Sequence, residues 1–121
     1  MFRVLDLIPV IYTGEIGDAV EDRKRYARYL HELTKGLVTL DVWHLDRGTA
    51  SIEGAFDEAL NAPYILKKVA EAERAGYDAV VMDCFGDPAL EAARELVKVP
   101  VVGANHSASF LAAQLAGRYS V

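Results

Sequence analysis

The chain has 121 residues, of which 52% are apolar and 26% are charged, a composition ordinary for a globular protein with one core. The net charge is −5 and no extended block of Lys or Arg occurs, which argues against a nucleic-acid or anionic-membrane surface and favours a small-molecule or protein partner. The apolar start FRVLDLIPVIY is interrupted by Arg3 and Asp6, so it matches neither a signal peptide nor a membrane span, and we expect a cytoplasmic protein.

The first half of the chain alternates between strand and helix patterns. A strand over Val4 to Ile11 is followed by the turn TGEIG, which lacks the spacing and lysine of a phosphate loop. The next segment, DAVEDRKRYARYLHELTKG, is predicted to be a helix that Asp18 caps and Gly36 ends. Apolar residues recur in it at helical spacing, at Val20, Tyr26/Ala27, Leu30 and Leu33, and the positions of Tyr26, Tyr29 and Leu33 are expected to form a helix face packed in the core.

The middle of the chain carries a second strand, a long polar connection and a second helix. The strand is predicted over Leu37 to Leu45, and the segment DRGTASIEGAFDEALNA is too long for a tight turn, which is typical of functional loops. Pro63 is predicted in the first helical turn and Gly76 at the helix end. The inward stripe of this helix is expected to contain Ile65, Leu66, Val69 and Ala72.

The last third repeats the alternation. The run YDAVVMDCF predicts a third strand, with Asp87 as N-cap and Pro88 as first residue of a helix that packs through Leu90, Ala93 and Leu96. The segments VPVVG and HSASFLAAQLAG predict a fourth strand and a helix, and RYSV is expected to begin a fifth strand. Strands joined by helices predict an α/β fold, a three-layer, open, mostly parallel sheet of flavodoxin-like type.

In such a sheet, ligands bind beyond the carboxyl ends of the strands. This rule selects four groups: Pro9 to Gly14, Leu45 to Glu53, Cys84 to Pro88 and Gly103 to Ser107. The only cysteine, Cys84, lies in one of these groups. A single cysteine excludes an internal disulfide, and no second cysteine or paired histidine at zinc-ligand spacing accompanies it.

Two interpretations of Cys84 stay open on local pattern alone. Unpaired cysteine most often acts as a small buried hydrophobe. The N-terminus of the following helix would instead favour an anion such as a thiolate, which the negative charges of Asp83 and Asp87 oppose. His44 and His106 also fall at strand ends, where a single histidine is more often structural.

The segment from Gly48 to Gly103 resembles the Asp/Glu/hydantoin racemase superfamily, closest to its hydantoin racemase branch. The resemblance is carried by Ser51-Ile52-Glu53, Asp57-Glu58-Ala59, Cys84-Phe85-Gly86-Asp87-Pro88 and Val99-Pro100-Val101-Val102-Gly103. It implies a cofactor-independent, metal-free isomerase that inverts an α-carbon of an amino acid, hydantoin or related carboxylate with two cysteines on opposite faces of the substrate, one from each of two similar lobes.

The resemblance makes Cys84 the catalytic cysteine of the first lobe. The substrate would be bound by the residues around it, which are Pro9, Phe85, Gly86, Asp87, Asn105 and His106. Backbone N–H groups of the Phe85 to Asp87 turn are expected to stabilise the developing negative charge of an enolate. For Asp87, capping the helix and fixing the loop is the preferred interpretation.

Departures from the family pattern also occur. Relatives often have Asn-Pro-Asn-Thr where this chain has Ile8-Pro9-Val10-Ile11, and an acidic residue where it has Asn105-His106-Ser107. No second cysteine is present, so residues 1–121 are interpreted as one lobe, expected to associate with a second lobe or with itself. The alternatives are a one-cysteine decarboxylase or isomerase of the same superfamily, or a catalytically silent lobe that binds a ligand or a partner.

Overall fold

The computed structural model describes residues 1–14 and 17–121, with the backbone alone for residues 17–20. The elements follow one another as strand and helix in strict alternation. They are β1 (Phe2–Ile11), α1 (Gly17–Leu33), β2 (Val38–Leu45), α2 (Ala55–Arg74), β3 (Ala79–Met82), α3 (Leu90–Leu96), β4 (Val101–Gly103) and α4 (Ala104–Leu115). Residues 15 and 16 of the predicted turn TGEIG lie outside the described residues, and so does the side chain of Asp18, the predicted helix cap.

The four strands form one parallel sheet in the order β2-β1-β3-β4. The chain moves outward from β1 to β2 and then crosses back to β3, so strand order reverses between β1 and β3. Right-handed crossovers in opposite directions place α1 on one face and α2 and α3 on the other. The predicted flavodoxin-like α/β fold is confirmed, and its crevice position lies beyond the ends of β1 and β3.

The core fills the space between the sheet and the α2 and α3 layer. Leu5 and Leu7 of β1 are fully buried, as are Val80 and Met82 of β3. They face α2, whose buried positions are Asn61, Ile65, Val69 and Ala72. The predicted stripe is therefore confirmed except that Leu66 is only partly buried and the polar Asn61 belongs to it.

Helix α1 packs differently from the prediction. Tyr26, Tyr29 and Leu33 are 49%, 56% and 63% exposed, so they do not form a core face. Among the sheet strands, α1 packs mainly on the edge strand β2. Helical spacing of apolar residues indicates which side of a helix is apolar, but the residues that cover that side come from elsewhere in the fold.

Helix α2 begins at Ala55, well before the predicted start near Pro63. Pro63 therefore lies inside the helix, where it removes one N–H and leaves the carbonyl of Ala59 without its helical partner. Ala59 is exposed, so water can satisfy that carbonyl. The polar connection is correspondingly shorter than predicted, because its second half is helical. At the other end Gly76 has φ of 79° and Tyr77 N–H donates to Ala72 O, which confirms the predicted glycine stop.

Helix α3 is short, with 7 residues, and the predicted cap is wrong. Its N-cap position is Ala89 and no side chain caps it, because the carboxylate of Asp87 is bonded elsewhere. Leu90 and Ala93 are buried as predicted, whereas Leu96 is 51% exposed and the buried position is Val97. The predicted fifth strand at RYSV is irregular chain in the structure. None of the helices in the described part of the chain is long and apolar enough to cross a membrane.

Candidate active site

Cys84 lies just beyond the carboxyl end of β3, at the point where strand order reverses. The N–H of Asp83 donates to the carbonyl of Leu7, which extends the β1–β3 pairing to the residue before the cysteine. Cys84 is half-buried and makes no disulfide. The sheet thus holds the thiol at its carboxyl edge with access to solvent, unlike an enclosed core cysteine.

The residues after Cys84 form a tight turn. The N–H of Asp87 donates to the carbonyl of Cys84 over 3.0 Å, so it is used within the turn. The N–H groups of Phe85 and Gly86 donate to no acceptor among the residues described. Gly86 comes close to the thiol, since a Cβ added there would lie 3.8 Å from the sulfur. Two of the three predicted N–H dipoles therefore remain free to meet an anion.

Asp87 connects this turn to α4. Its carboxylate accepts hydrogen bonds from the backbone N–H groups of Asn105, over 3.1 Å, and His106, over 2.7 Å. Both N–H groups belong to the first turn of α4, where a negative charge is favoured. Gly103 leaves room for this contact, because a Cβ there would lie 2.6 Å from the carboxyl carbon of Asp87. The predicted loop-fixing role of Asp87 therefore involves α4 instead of α3.

The residue before Cys84, Asp83, is a second carboxylate next to the cysteine. Asp83 forms an ion pair with Arg23 of α1. Asp6, which is 5% exposed, lies next to this pair; its burial, together with the charge of Asp83, raises its pKa to about 6 against the opposing effect of Arg23. The carboxylates on both sides of Cys84 are thus compensated, Asp83 by a cation and Asp87 by backbone N–H groups.

His44 lies near Arg23 and Asp83, whose charges act on its imidazole. Burial lowers the pKa of its imidazole, and Nδ1 of the ring is buried without a hydrogen-bond partner among the described residues. Its ring packs on Tyr12 with 5.2 Å between centroids. His44 thus packs as a partly buried ring at the end of β2, and its structural interpretation stays a prediction.

An open surface cavity of about 580 Å³ lies beside the cysteine turn. Asp87, Asn105 and His106 line it together with Glu58 from the first turn of α2 and Ser109 from α4. Cys84 lies on the adjoining turn instead of in the cavity wall, and Phe85 is 48% exposed next to it. The fold thus brings five of the predicted site residues to one edge of the sheet: Phe85, Gly86, Asp87, Asn105 and His106.

Pro9 differs from the other predicted site residues. Its side chain is fully buried, and its carbonyl accepts a hydrogen bond from the Asn61 amide over 3.0 Å. Asn61 also accepts from the N–H of Thr49 over 2.8 Å and donates to the Thr49 hydroxyl over 2.9 Å. In this structure Pro9 supports the site from beneath, and its predicted contact with substrate stays a prediction.

Asn61 was missed by the sequence analysis. It is fully buried and joins the end of β1, the loop after β2 and helix α2 through the three bonds described above. The signal that would have found it is a polar residue in register with an apolar stripe, four residues before Ile65. No cluster of three or more His, Cys, Asp or Glu side chains suited to a metal ion occurs among residues 1–14 and 17–121 of the structure.

Comparison with known proteins identifies relatives of this chain. The hydantoin racemase of Pseudomonas sp. (strain NS671) is 47% identical over 74 residues, which are 61% of this chain and 30% of that protein. The hydantoin racemase of Rhizobium meliloti is 46% identical over 72 residues, 60% of this chain and 30% of that protein. The chain therefore aligns with less than a third of the length of these curated relatives.

A solved structure shares the fold. The allantoin racemase from Klebsiella pneumoniae superposes with a TM-score of 0.75 at 28% identity, over 94% of this chain and 44% of that one. The sequence profile of the Asp/Glu/Hydantoin racemase family matches residues 23–121, which include the cysteine turn and the cavity wall. This match covers most of the sequence and confirms the resemblance; the chain belongs to the Asp/Glu/hydantoin racemase family.

Proposed function

We propose that this chain is one lobe of a cofactor-independent racemase that acts on a hydantoin or another amino-acid derivative, with Cys84 as a proton-transfer residue. The observation that carries the proposal is the position of Cys84, half-buried at the reversal of strand order and next to two free N–H groups. Family membership and the names of the relatives support the reaction class.

The proposed chemistry needs a base and a stabilised anion. The Cys84 thiolate removes the proton from the α-carbon, and the electron pair moves onto the adjacent carbonyl oxygen to give an enolate. The N–H groups of Phe85 and Gly86 donate to that oxygen as its charge develops. Return of a proton to the opposite face of the carbon inverts the centre, and return to the same face does not.

Inversion therefore requires a second proton donor that faces Cys84 across the substrate. The chain has no other cysteine, and His106 lies on the same edge of the sheet as Cys84. We propose that the opposing group comes from polypeptide outside these residues, either a second lobe or a partner chain. The aligned relatives leave room for one, because this chain covers 44% of the allantoin racemase chain.

Exposed apolar side chains support association of this lobe with another polypeptide. On α4, Phe110, Leu111 and Leu115 are 63%, 61% and 89% exposed, and Tyr26 and Tyr29 of α1 add to the exposed apolar surface. We propose a homo-oligomer or a complex with a second lobe in the cytoplasm. Light scattering of residues 1–121 alone should give a mass above 13.3 kDa. A clean monomer would argue against self-association.

The decisive experiment follows deuterium exchange at the α-carbon. An enantiomerically pure 5-monosubstituted hydantoin in D₂O is incubated with the native chain, with Cys84→Ser and with Ser120→Ala, a control at an exposed position outside the candidate site, and exchange and optical rotation are recorded together. Cys84→Ser should lose exchange by at least about a hundredfold, because a serine hydroxyl is a far weaker acid than a thiol. Exchange by the serine variant at the native rate would exclude the thiol mechanism.

A one-cysteine decarboxylase or isomerase is the second candidate, and the observation that favours it is the single thiol of the chain. Such an enzyme protonates its substrate from one face only. Release of CO₂ from an arylmalonate, lost in Cys84→Ser and unaffected in the control Ser120→Ala, would identify it. Tight binding of a hydantoin with neither exchange nor CO₂ release would instead identify a silent binding lobe.

A further inference from the structure

Arg94 is held in a fixed position beside the cavity wall. Its Nε donates to the carbonyl of Val101, at the start of β4, over 3.0 Å. Its Nη1 donates to Glu91 Oε1 over 2.9 Å and lies 3.1 Å from Nδ1 of His106. One guanidinium thus connects α3, β4 and the first turn of α4. Because Val101 belongs to the sheet, its carbonyl anchors the guanidinium beside His106.

The contact with Arg94 determines which nitrogen of His106 carries the proton. A guanidinium has donors and no acceptor, so Nδ1 of His106 has to accept and the ring proton lies on Nε2. The ring is held from one side by Phe110, with 4.9 Å between centroids. His106 lines the cavity, and its Nε2 has no hydrogen-bond partner among the residues the structure describes. The Nε2–H group is therefore available as a donor.

Asn105 is oriented in the same way. The hydroxyl of Ser109 donates to Asn105 Oδ1 over 2.8 Å, which leaves both amide hydrogens of Asn105 Nδ2 for another partner. The backbone N–H groups of Asn105 and His106 are already bonded to Asp87. Hydrogen bonding from this wall to a ligand therefore depends on the two side chains, both of which present donors.

We propose that Arg94 is a positioning residue that holds His106 as an Nε2–H donor, and that His106 and Asn105 together bind a carbonyl or carboxylate oxygen of the ligand. The proposal rests on the proposed function in one respect, that the substrate occupies this cavity. If Arg94 were only a brace between α3 and β4, its replacement would change stability and leave the His106 tautomer as it was.

The first test is a long-range ¹H–¹⁵N spectrum of the imidazoles in the labelled protein above neutral pH. The chain has 3 histidines, which single His→Asn variants assign. His31 is an internal reference, because its Nδ1 lies 3.1 Å from the carbonyl of Val38 and has to donate. The expected result is an Nδ1–H pattern for His31 and an Nε2–H pattern for His106. An Nδ1–H pattern for His106 overturns the proposal.

The second test changes the partner of Nδ1. Arg94→Glu supplies an acceptor in place of a donor and should move His106 toward the Nδ1–H tautomer, whereas Arg94→Lys keeps a donor and should preserve Nε2–H. Arg74→Glu makes the same charge change at an exposed position of α2 and should leave the His106 tautomer unchanged. If Arg94→Glu does not fold, Arg94→Met removes the donor alone and should give a mixture of tautomers. An unchanged His106 pattern in the folded variant overturns the proposal.

The third test measures binding of unsubstituted hydantoin, a neutral probe, by chemical-shift titration of the same samples. Arg94→Glu should weaken binding by about tenfold, the loss expected for one hydrogen bond, and Arg94→Lys and Arg74→Glu by less than about twofold. A tautomer change without loss of affinity, or absence of binding to the native chain, overturns the ligand part of the proposal. The proposed function is judged separately by Cys84-dependent exchange, so failure of one does not imply failure of the other.

Discussion

Replacement of Asp87 tests whether the cysteine turn is held by α4. The two bonds from its carboxylate to the N–H groups of Asn105 and His106 measure 3.1 and 2.7 Å. Charge-assisted bonds of this kind contribute ~1.5–3 kcal/mol each, but the freed N–H groups are half-buried and partly regain water, so loss of both should cost about 2 kcal/mol. Asp87 has φ of 48°, a left-handed conformation that costs alanine about 1 kcal/mol more.

These terms predict an order among the variants. Asp87→Ala should lower the free energy of unfolding by about 3 kcal/mol, Asp87→Gly by about 2 because glycine adopts the left-handed conformation without strain, and Asp87→Asn by about 1 because one acceptor remains. Asp22→Ala removes a carboxylate of an exposed ion pair on α1 and should cost less than about 0.5 kcal/mol. Urea unfolding followed by fluorescence of Trp43, the only tryptophan, measures all four.

A second substitution checks the geometry. In the native background Gly103→Ala should cost about 2 kcal/mol, because the new Cβ would lie 2.6 Å from the carboxyl carbon of Asp87. In the Asp87→Gly background the same change should cost much less, so the two positions should be coupled by more than about 1 kcal/mol. Additive effects, or an Asp87→Ala cost no larger than that of Asp22→Ala, would refute the assigned contact.

Three further outcomes are expected. The pKa of Asp6 is raised from 3.8 to about 6, so the folded state loses about 3 kcal/mol of stability as pH rises from about 4 to 6. Asp6→Asn should remove this loss and stabilise the protein by up to that amount at pH 7.5 but little at pH 4. A stability difference in urea unfolding that does not depend on pH would contradict this prediction. Asn61→Ala should lower the free energy of unfolding by about 3 kcal/mol, because it leaves the N–H of Thr49 and the carbonyl of Pro9 unpaired inside the protein. A loss below about 1 kcal/mol would show that water replaces the amide. Residues 1–121 alone should exchange the α-proton of a hydantoin in D₂O slowly and with retention, because a single base delivers the deuteron to the face from which it removed the proton. Inversion in polarimetry at the same rate as exchange would show that a second proton donor is present.

The fold class followed from local patterns because each pattern reports on one segment. Apolar β-branched runs such as Val80-Val81 predicted strands, helical spacing at Ile65, Val69 and Ala72 predicted the buried face of α2, and Gly76 predicted its end; all are confirmed. The position of Cys84 at the carboxyl edge followed from the same alternation, because parallel strands end at one edge. Its proton-transfer role stays a prediction that came from the family resemblance and not from the pattern alone.

Which groups meet across the fold was decided only by the tertiary structure. The sequence placed Asp87 next to α3, but its carboxylate caps α4, because the parallel β3–β4 pairing brings Gly103 and the first turn of α4 against the cysteine turn. The same holds for Arg94 and His106, which are separated along the chain and joined by the sheet. Sequence periodicity describes the faces of single elements, whereas hydrogen bonds between elements depend on strand order and register, which local spacing does not encode.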